Sequence, residues 1–83
     1  MEDKALKEKW VDALQSGDYQ QGKLCLHELG RYCCLGVLNH IRGCEQSYDG
    51  LDSVVGLDWI KLANMNDRGK SFPEIATWIQ ENL

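Results

Sequence analysis

Leu6, Trp10, Ala13 and Leu14 recur three and four residues apart, which predicts an amphipathic helix over 3–15. Asp3 stands where an N-cap carboxylate accepts from free backbone N–H groups. Ser16-Gly17 supplies the stop, because glycine readily takes the left-handed conformation that follows a helix. The next stretch, SGDYQQG, has no period and reads as a loop. Over 23–35 the pattern becomes two short apolar stretches, KLCLHE and RYCCLG, separated by Leu29-Gly30. They predict a β-hairpin turning at 28–30, with Leu24 and Leu26 on one face and Cys25 and His27 on the other. Leu35, Leu38 and Ile41 then continue at helical spacing to Gly43, so the second strand feeds directly into a short helix. Gly36, at that strand-to-helix turn, lets another backbone approach closely.

GCEQSYDGLDS, residues 43–53, is rich in turn formers and is expected to be the longest and most mobile loop. Leu57, Ile60 and Ala63, flanked by Trp59 and Leu62, predict a helix over 57–65 that Asn66-Asp67-Arg68-Gly69 ends. The sharpest local signal is Ser71-Phe72-Pro73-Glu74. Ser71 can accept from the Glu74 N–H while Glu74 reaches back to the Ser71 N–H, and Pro73 sits in the first turn, where its missing N–H costs nothing. Phe72, Ile75, Ala76 and Ile79 continue that helix as one apolar stripe. The fold these segments imply is α+β: a single domain over 1–83, in which a β-hairpin packs against about four short helices. Its expected core is Trp10, Leu14, Leu26, Leu38, Ile60, Ile75 and Ile79.

Length and charge narrow this further. A chain of 83 residues has room for one modest core and no separate cofactor domain. The net charge of -4 argues against a general DNA or RNA binder, since Lys and Arg supply most non-specific phosphate affinity. Lys4, Lys7 and Lys9 do not offset it; they alternate with Glu2, Asp3 and Glu8 as a solvated helix face. No apolar run approaches the roughly 20 residues that span a bilayer, and MEDKALKEKW is charged throughout. The expectation is therefore no signal peptide and no membrane anchor.

Cys25, Cys33, Cys34 and Cys44 form no CxxC pair. Structural zinc needs ligand pairs two to four residues apart, so no metal is expected even with His27 and His40 nearby. Without a secretory signal the thiols stay reduced, and Cys33 and Cys34 are assigned to core packing. No nucleophile elbow, P-loop, HExxH or GxGxxG is present, and His27 beside Glu28 would face the opposite way on a strand. The expectation is a non-enzymatic protein without a cofactor. GKSFPEIATWI resembles the first helix of helix-turn-helix modules, which carry a G-x-[ST]-x-x-E-I-A pattern. Only Gln80, Glu81, Asn82 and Leu83 follow the stripe, too few for a recognition helix, and the negative charge opposes phosphate binding, so nucleic acid is not the expected partner.

The three pieces KWVDALQSGDYQQGKLCL, RYCCLGVLNHI and LANMNDRGKSFPEIATWIQENL cover about two thirds of the chain. In their order they resemble a family of very short, mostly uncharacterised proteins encoded by tailed bacteriophages and prophages. The resemblance implies a phage origin and the cytoplasm of an infected bacterium. Small accessory phage proteins commonly inhibit or redirect host factors, some by sequestering the cyclic nucleotide or cyclic ADP-ribose signals of bacterial immunity. The first expectation is thus a binding protein that counters host defence by sequestering a nucleotide-derived signal. It would act as a homo-oligomer, because a pocket between subunits is the economical way for so small a domain to bury a ligand. The residues expected to bind are Arg68, Lys70 and Ser71 on phosphate at the start of the last helix, Tyr32 and Trp59 as stacking faces, and Arg31 as a second cation. The alternative is an acidic protein–protein inhibitor that masks a basic site on a host defence or nucleic-acid-binding protein through Glu45, Asp49, Asp52 and Asp58. A structural or packaging accessory that binds other phage proteins is the third possibility.

Overall fold

The computed structural model describes residues 3–22, 27–28, 30–43 and 54–83. The first helix, α1 (Lys4–Ser16), begins because the Asp3 side chain accepts from the Leu6 N–H at 2.9 Å, and it ends at Gly17 with φ 80°. Both boundaries match the capping residues read from the sequence. Three two-residue strands follow: β1 (Gln20–Gln21), β2 (His27–Glu28) and β3 (Arg31–Tyr32), ordered β1-β3-β2. β2 and β3 form the expected hairpin, pairing His27 with Tyr32 and Glu28 with Arg31 across a turn that includes Gly30 at φ 78°. The facing of Leu24, Cys25 and Leu26, and the conformation of the long loop, lie outside the described residues.

β1 corrects the sequence reading, which placed Gln20 and Gln21 in a loop. They pair in parallel with Arg31 and Tyr32, and the Gly22 N–H continues the ladder to the Tyr32 carbonyl at 2.7 Å. Two glutamines carry no apolar alternation, so only their non-local partner makes them a strand. Gly22 is required there: a Cβ on it would stand 2.9 Å from the Arg31 Cβ.

β3 runs directly into α2 (Cys34–Arg42), as expected, with Cys33 as the N-cap; its sulfur accepts from the Gly36 N–H at 3.4 Å. The helix ends at Gly43, φ 76°. α3 (Asp58–Asp67) and α4 (Phe72–Asn82) complete the chain, and α4 opens with the predicted capping box of Ser71 and Glu74. The resulting small α+β domain packs α1 against α2 and α4, with α3 across α2 and α4. Its core joins Trp10, Val11 and Leu14 to Leu35, Val37, Leu38, Val55, Leu62, Phe72, Ile75, Ala76 and Ile79.

Of the expected core, Trp10, Leu14, Leu38, Ile75 and Ile79 are buried, and Leu26 lies outside the described residues. Ile60 is a correction: it is 49% exposed, and Leu57 beside it is 80% exposed. α3 turns Leu62 and Asn66 inward instead. Asn66 is fully buried, yet both ends of its amide are paired. Its Oδ1 accepts from Gln21 Nε2 at 2.9 Å and from the Cys34 N–H at 3.2 Å, and its Nδ2 donates to the Gly22 carbonyl at 2.7 Å. Gln21 in turn donates to the Lys70 carbonyl at 2.6 Å and accepts from the Phe72 N–H at 3.1 Å. Two amide side chains thereby tie β1 to the start of α2, the end of α3 and the start of α4. A buried polar side chain is tolerated only when paired in this way.

Candidate functional site

Turning Asn66 inward turns the opposite side of α3 outward. Leu57, Ile60, Lys61, Asn64, Met65 and Arg68 recur at i, i+3, i+4, i+7, i+8 and i+11, one continuous helical stripe. With Lys70 they line an open groove of about 520 Å³, within the usual size of small-ligand sites. Leu57, Ile60 and Met65 supply apolar surface, and Lys61, Arg68 and Lys70 supply three cations. The ammonium of Lys61 stands 5.1 Å from the Trp78 ring centroid, a cation–π contact that holds the side chain against α4. Lys70 pairs with Glu74 at 3.6 Å, an ion pair more than half exposed on both sides and therefore easily exchanged for another anion. Among the described residues the Arg68 guanidinium makes no ion pair or hydrogen bond. A smaller hollow of about 260 Å³ adjoins the groove through Met65 and Lys70 and adds Glu74, Thr77, Trp78 and Glu81.

The sequence-derived binding residues are distributed unevenly over this surface. Arg68 and Lys70 lie in the groove. Ser71 does not: its hydroxyl accepts from the Glu74 N–H at 3.4 Å and donates to Glu74 Oε1 at 3.0 Å. The start of α4 has no amide left for an external phosphate. The Ser71 N–H goes to Glu74 Oε1, the Phe72 N–H to Gln21 Oε1 and the Ile75 N–H to the Ser71 carbonyl, while Pro73 has none. Glu74 is itself the anion at this helix start. Hydrogen bonds from the Ser71 backbone and side chain hold its carboxyl below the usual glutamate range.

Trp59 is half-buried against the core rather than open for stacking. Tyr32 packs edge-on with Tyr19, centroids 5.1 Å apart, and with His40 at 5.6 Å, away from the groove-lining segment; Arg31, its neighbour on β3, is exposed. Lys61, Leu57, Ile60 and Met65 were missed as binding residues. Of these the sequence reading used Leu57 and Ile60 as helical period and placed Ile60 in the core.

The cysteines behave as packing groups. Cys34 is fully buried with its thiol directed at the Leu62 carbonyl, Sγ–O 3.5 Å, and burial raises that thiol far above the ordinary cysteine range. Among the described residues no three His, Cys, Asp or Glu side chains converge as metal ligands, and no helix is long and apolar enough to cross a membrane. Glu45, Asp49 and Asp52 of the alternative acidic surface lie outside the described residues, and Asp58 sits in the first turn of α3.

The family model for a domain of unknown function, DUF8296, matches residues 1–54. The chain belongs to the DUF8296 family. No curated protein and no solved structure matches it. The matched DUF8296 segment holds α1, the three strands and α2, whereas the α3 groove is built from residues 57–70, beyond it. In this DUF8296 chain the two parts meet at Asn66, which fastens α3 to Gln21, Gly22 and Cys34 of the matched segment.

Proposed function

We propose that this DUF8296 chain is a non-enzymatic binding protein that sequesters a nucleotide-derived anion in the α3 groove. The observation that carries the reading is the pairing, along one exposed helix face, of an apolar floor (Leu57, Ile60, Met65) with three cations (Lys61, Arg68, Lys70). A ligand seated on that face covers the exposed Leu57 and Ile60. A nucleotide has the complementary chemistry: a flat base to cover the floor and phosphate oxygens for the cations. The Arg68 fork suits phosphate best, because its planar donors can meet two oxygens at once. Lys70 can exchange Glu74 for the incoming phosphate. The phage-like resemblance of the sequence supplies the setting, the infected bacterial cytoplasm, where removing a nucleotide immune signal counters host defence without any catalytic step.

The test is isothermal calorimetry of the whole chain against a panel of mononucleotides, cyclic mono- and dinucleotides, cyclic trinucleotides and cyclic ADP-ribose, with tryptophan fluorescence as a second readout. At least one member should bind with micromolar or tighter affinity, and Arg68→Gln should weaken it about tenfold or more, the worth of one charge-assisted contact. Silence from the entire panel refutes the reading, as does tight binding that Arg68→Gln leaves unchanged.

A further inference from the structure

On the reading that the α3 groove binds a nucleotide-type anion, we propose that Asn64 reads the base and that the groove takes adenine in preference to guanine. Among the described residues lining the groove, Asn64 alone carries an uncharged polar side chain. It is exposed, and among the described residues its carboxamide makes no hydrogen bond. Asn64 follows Ile60 by one turn and precedes Arg68 by one turn, so it lies about 6 Å along the helix from each. The Arg68 N–H donates to the Asn64 carbonyl at 3.0 Å, which keeps that spacing helical up to the guanidinium. At about 100° per residue, the direction of Asn64 from the helix axis falls between those of Ile60 and Met65, so an apolar side chain stands to either side of it.

This order of groups matches the order of groups in a purine nucleotide. With its phosphate on Arg68 and Lys70, a base held against Ile60 and Met65 meets Asn64 by the edge nearest its own phosphate. In a purine nucleotide of anti conformation that is the N7 edge. Adenine offers a donor and an acceptor there, N6–H and N7, whereas guanine offers two acceptors, O6 and N7. A carboxamide carries one acceptor and one donor side by side, and adenine satisfies both: Oδ1 accepts from N6–H while Nδ2 donates to N7. Against guanine, Nδ2 serves one acceptor and Oδ1 faces the other with no proton between them.

A cation at the same place would reverse the preference, because Lys or Arg donates to both O6 and N7 of guanine. Lys61 is the cation one turn before Asn64, and its ammonium is drawn towards α4, 5.1 Å from the Trp78 ring centroid. Arg68 and Lys70 are engaged by the phosphate. The edge of the base is therefore left to the amide.

Calorimetry of the whole chain with nucleotide pairs that share a backbone and differ only in the base tests this: AMP and GMP, 3′,5′-cyclic AMP and cyclic GMP, cyclic di-AMP and cyclic di-GMP. In each pair that binds, the adenine member should be tighter by about tenfold or more, the discrimination of one bidentate amide pair. Asn64→Ala, at an exposed helix position, should keep the circular dichroism and melting temperature, weaken the adenine member by about that factor and leave the guanine member as it was. The 7-deaza analogue of the adenine nucleotide lacks the N7 acceptor; it should bind wild type several-fold more weakly than its parent and bind Asn64→Ala equally well. Guanine members that bind as tightly as adenine ones, or an adenine preference that Asn64→Ala retains, overturn this inference, and the groove reading stands where Arg68→Gln still weakens the binding. If no nucleotide binds at all, the groove reading itself fails and this inference with it.

Discussion

Replacing Asn66 by Ala removes the tie that joins α3 to the rest of the domain. Three hydrogen bonds go at once, from Gln21 Nε2, from the Cys34 N–H and to the Gly22 carbonyl. Gln21 keeps a partner in the Lys70 carbonyl. The Cys34 N–H does not: Cys34 is the first residue of α2, where an amide has no partner inside its own helix, and it is fully buried. The half-buried Gly22 carbonyl loses its donor. Two orphaned groups at about 1–3 kcal/mol each, plus the small cavity left by the amide, give a loss of about 3–5 kcal/mol. A domain of 83 residues at roughly 0.05–0.15 kcal/mol per residue has about 4–12 kcal/mol in total, so the variant should be near the threshold of folding at 25 °C. Urea unfolding followed by tryptophan fluorescence measures this directly: the midpoint should fall by about 2–5 M at an unchanged slope near 1–1.5 kcal/mol per molar. A loss below about 1 kcal/mol would refute the view that this amide, rather than apolar packing of Leu62 alone, holds α3 in place.

Ser71→Ala should cost about 1 kcal/mol in the same assay through loss of the N-cap, leaving the groove-lining residues untouched. Because the folded carboxyl of Glu74 lies below its ordinary value near 4.5, its contribution is fully present above that pH and disappears as the pH falls through the folded value. An acid titration of wild type should show that loss, and Ser71→Ala, which keeps the backbone N–H to Glu74 but removes the hydroxyl, should show a smaller one; identical acid limbs would contradict a role for the hydroxyl. Cys34 should react with a thiol reagent only as fast as the domain opens, since its buried sulfur resists ionisation; rapid labelling in native buffer would place it elsewhere. Ile75→Asp should abolish folding by circular dichroism, because it puts an unpaired charge in the core, whereas Ile60→Asp should leave the melting temperature within a few degrees; comparable losses for the two would reverse the facing of α3 or α4.

The sequence by itself determined the local features whose causes lie within a few residues. Asp3 and Gly17 bound α1, Ser71, Pro73 and Glu74 start α4, and the Phe72–Ile79 stripe is buried because neighbouring turns of one helix repeat the same apolar face. The hairpin and its passage into α2 belong to the same class, since Gly30 and the adjacent apolar run act at short range. The groove was only half legible: Arg68 and Lys70 were identified, but as a phosphate site at the start of α4, where Glu74 already takes the amides. Only tertiary structure decided which side of α3 faces in. Two stripes on that helix both have helical period, one with Trp59, Leu62, Ala63 and Asn66 and one with Leu57, Ile60 and Met65, and it is Leu57 and Ile60 that end in solvent. The choice is made by Gln21, Gly22 and Cys34, 32 to 45 residues away, whose unpaired polar groups are satisfied by Asn66 and would be orphaned by a leucine or isoleucine in its place. The same long-range bonds make a strand of Gln20–Gln21 and leave Leu57 and Ile60 outside, with Met65 half-buried beside Lys61, Arg68 and Lys70. No periodicity within α3 records where those partners are.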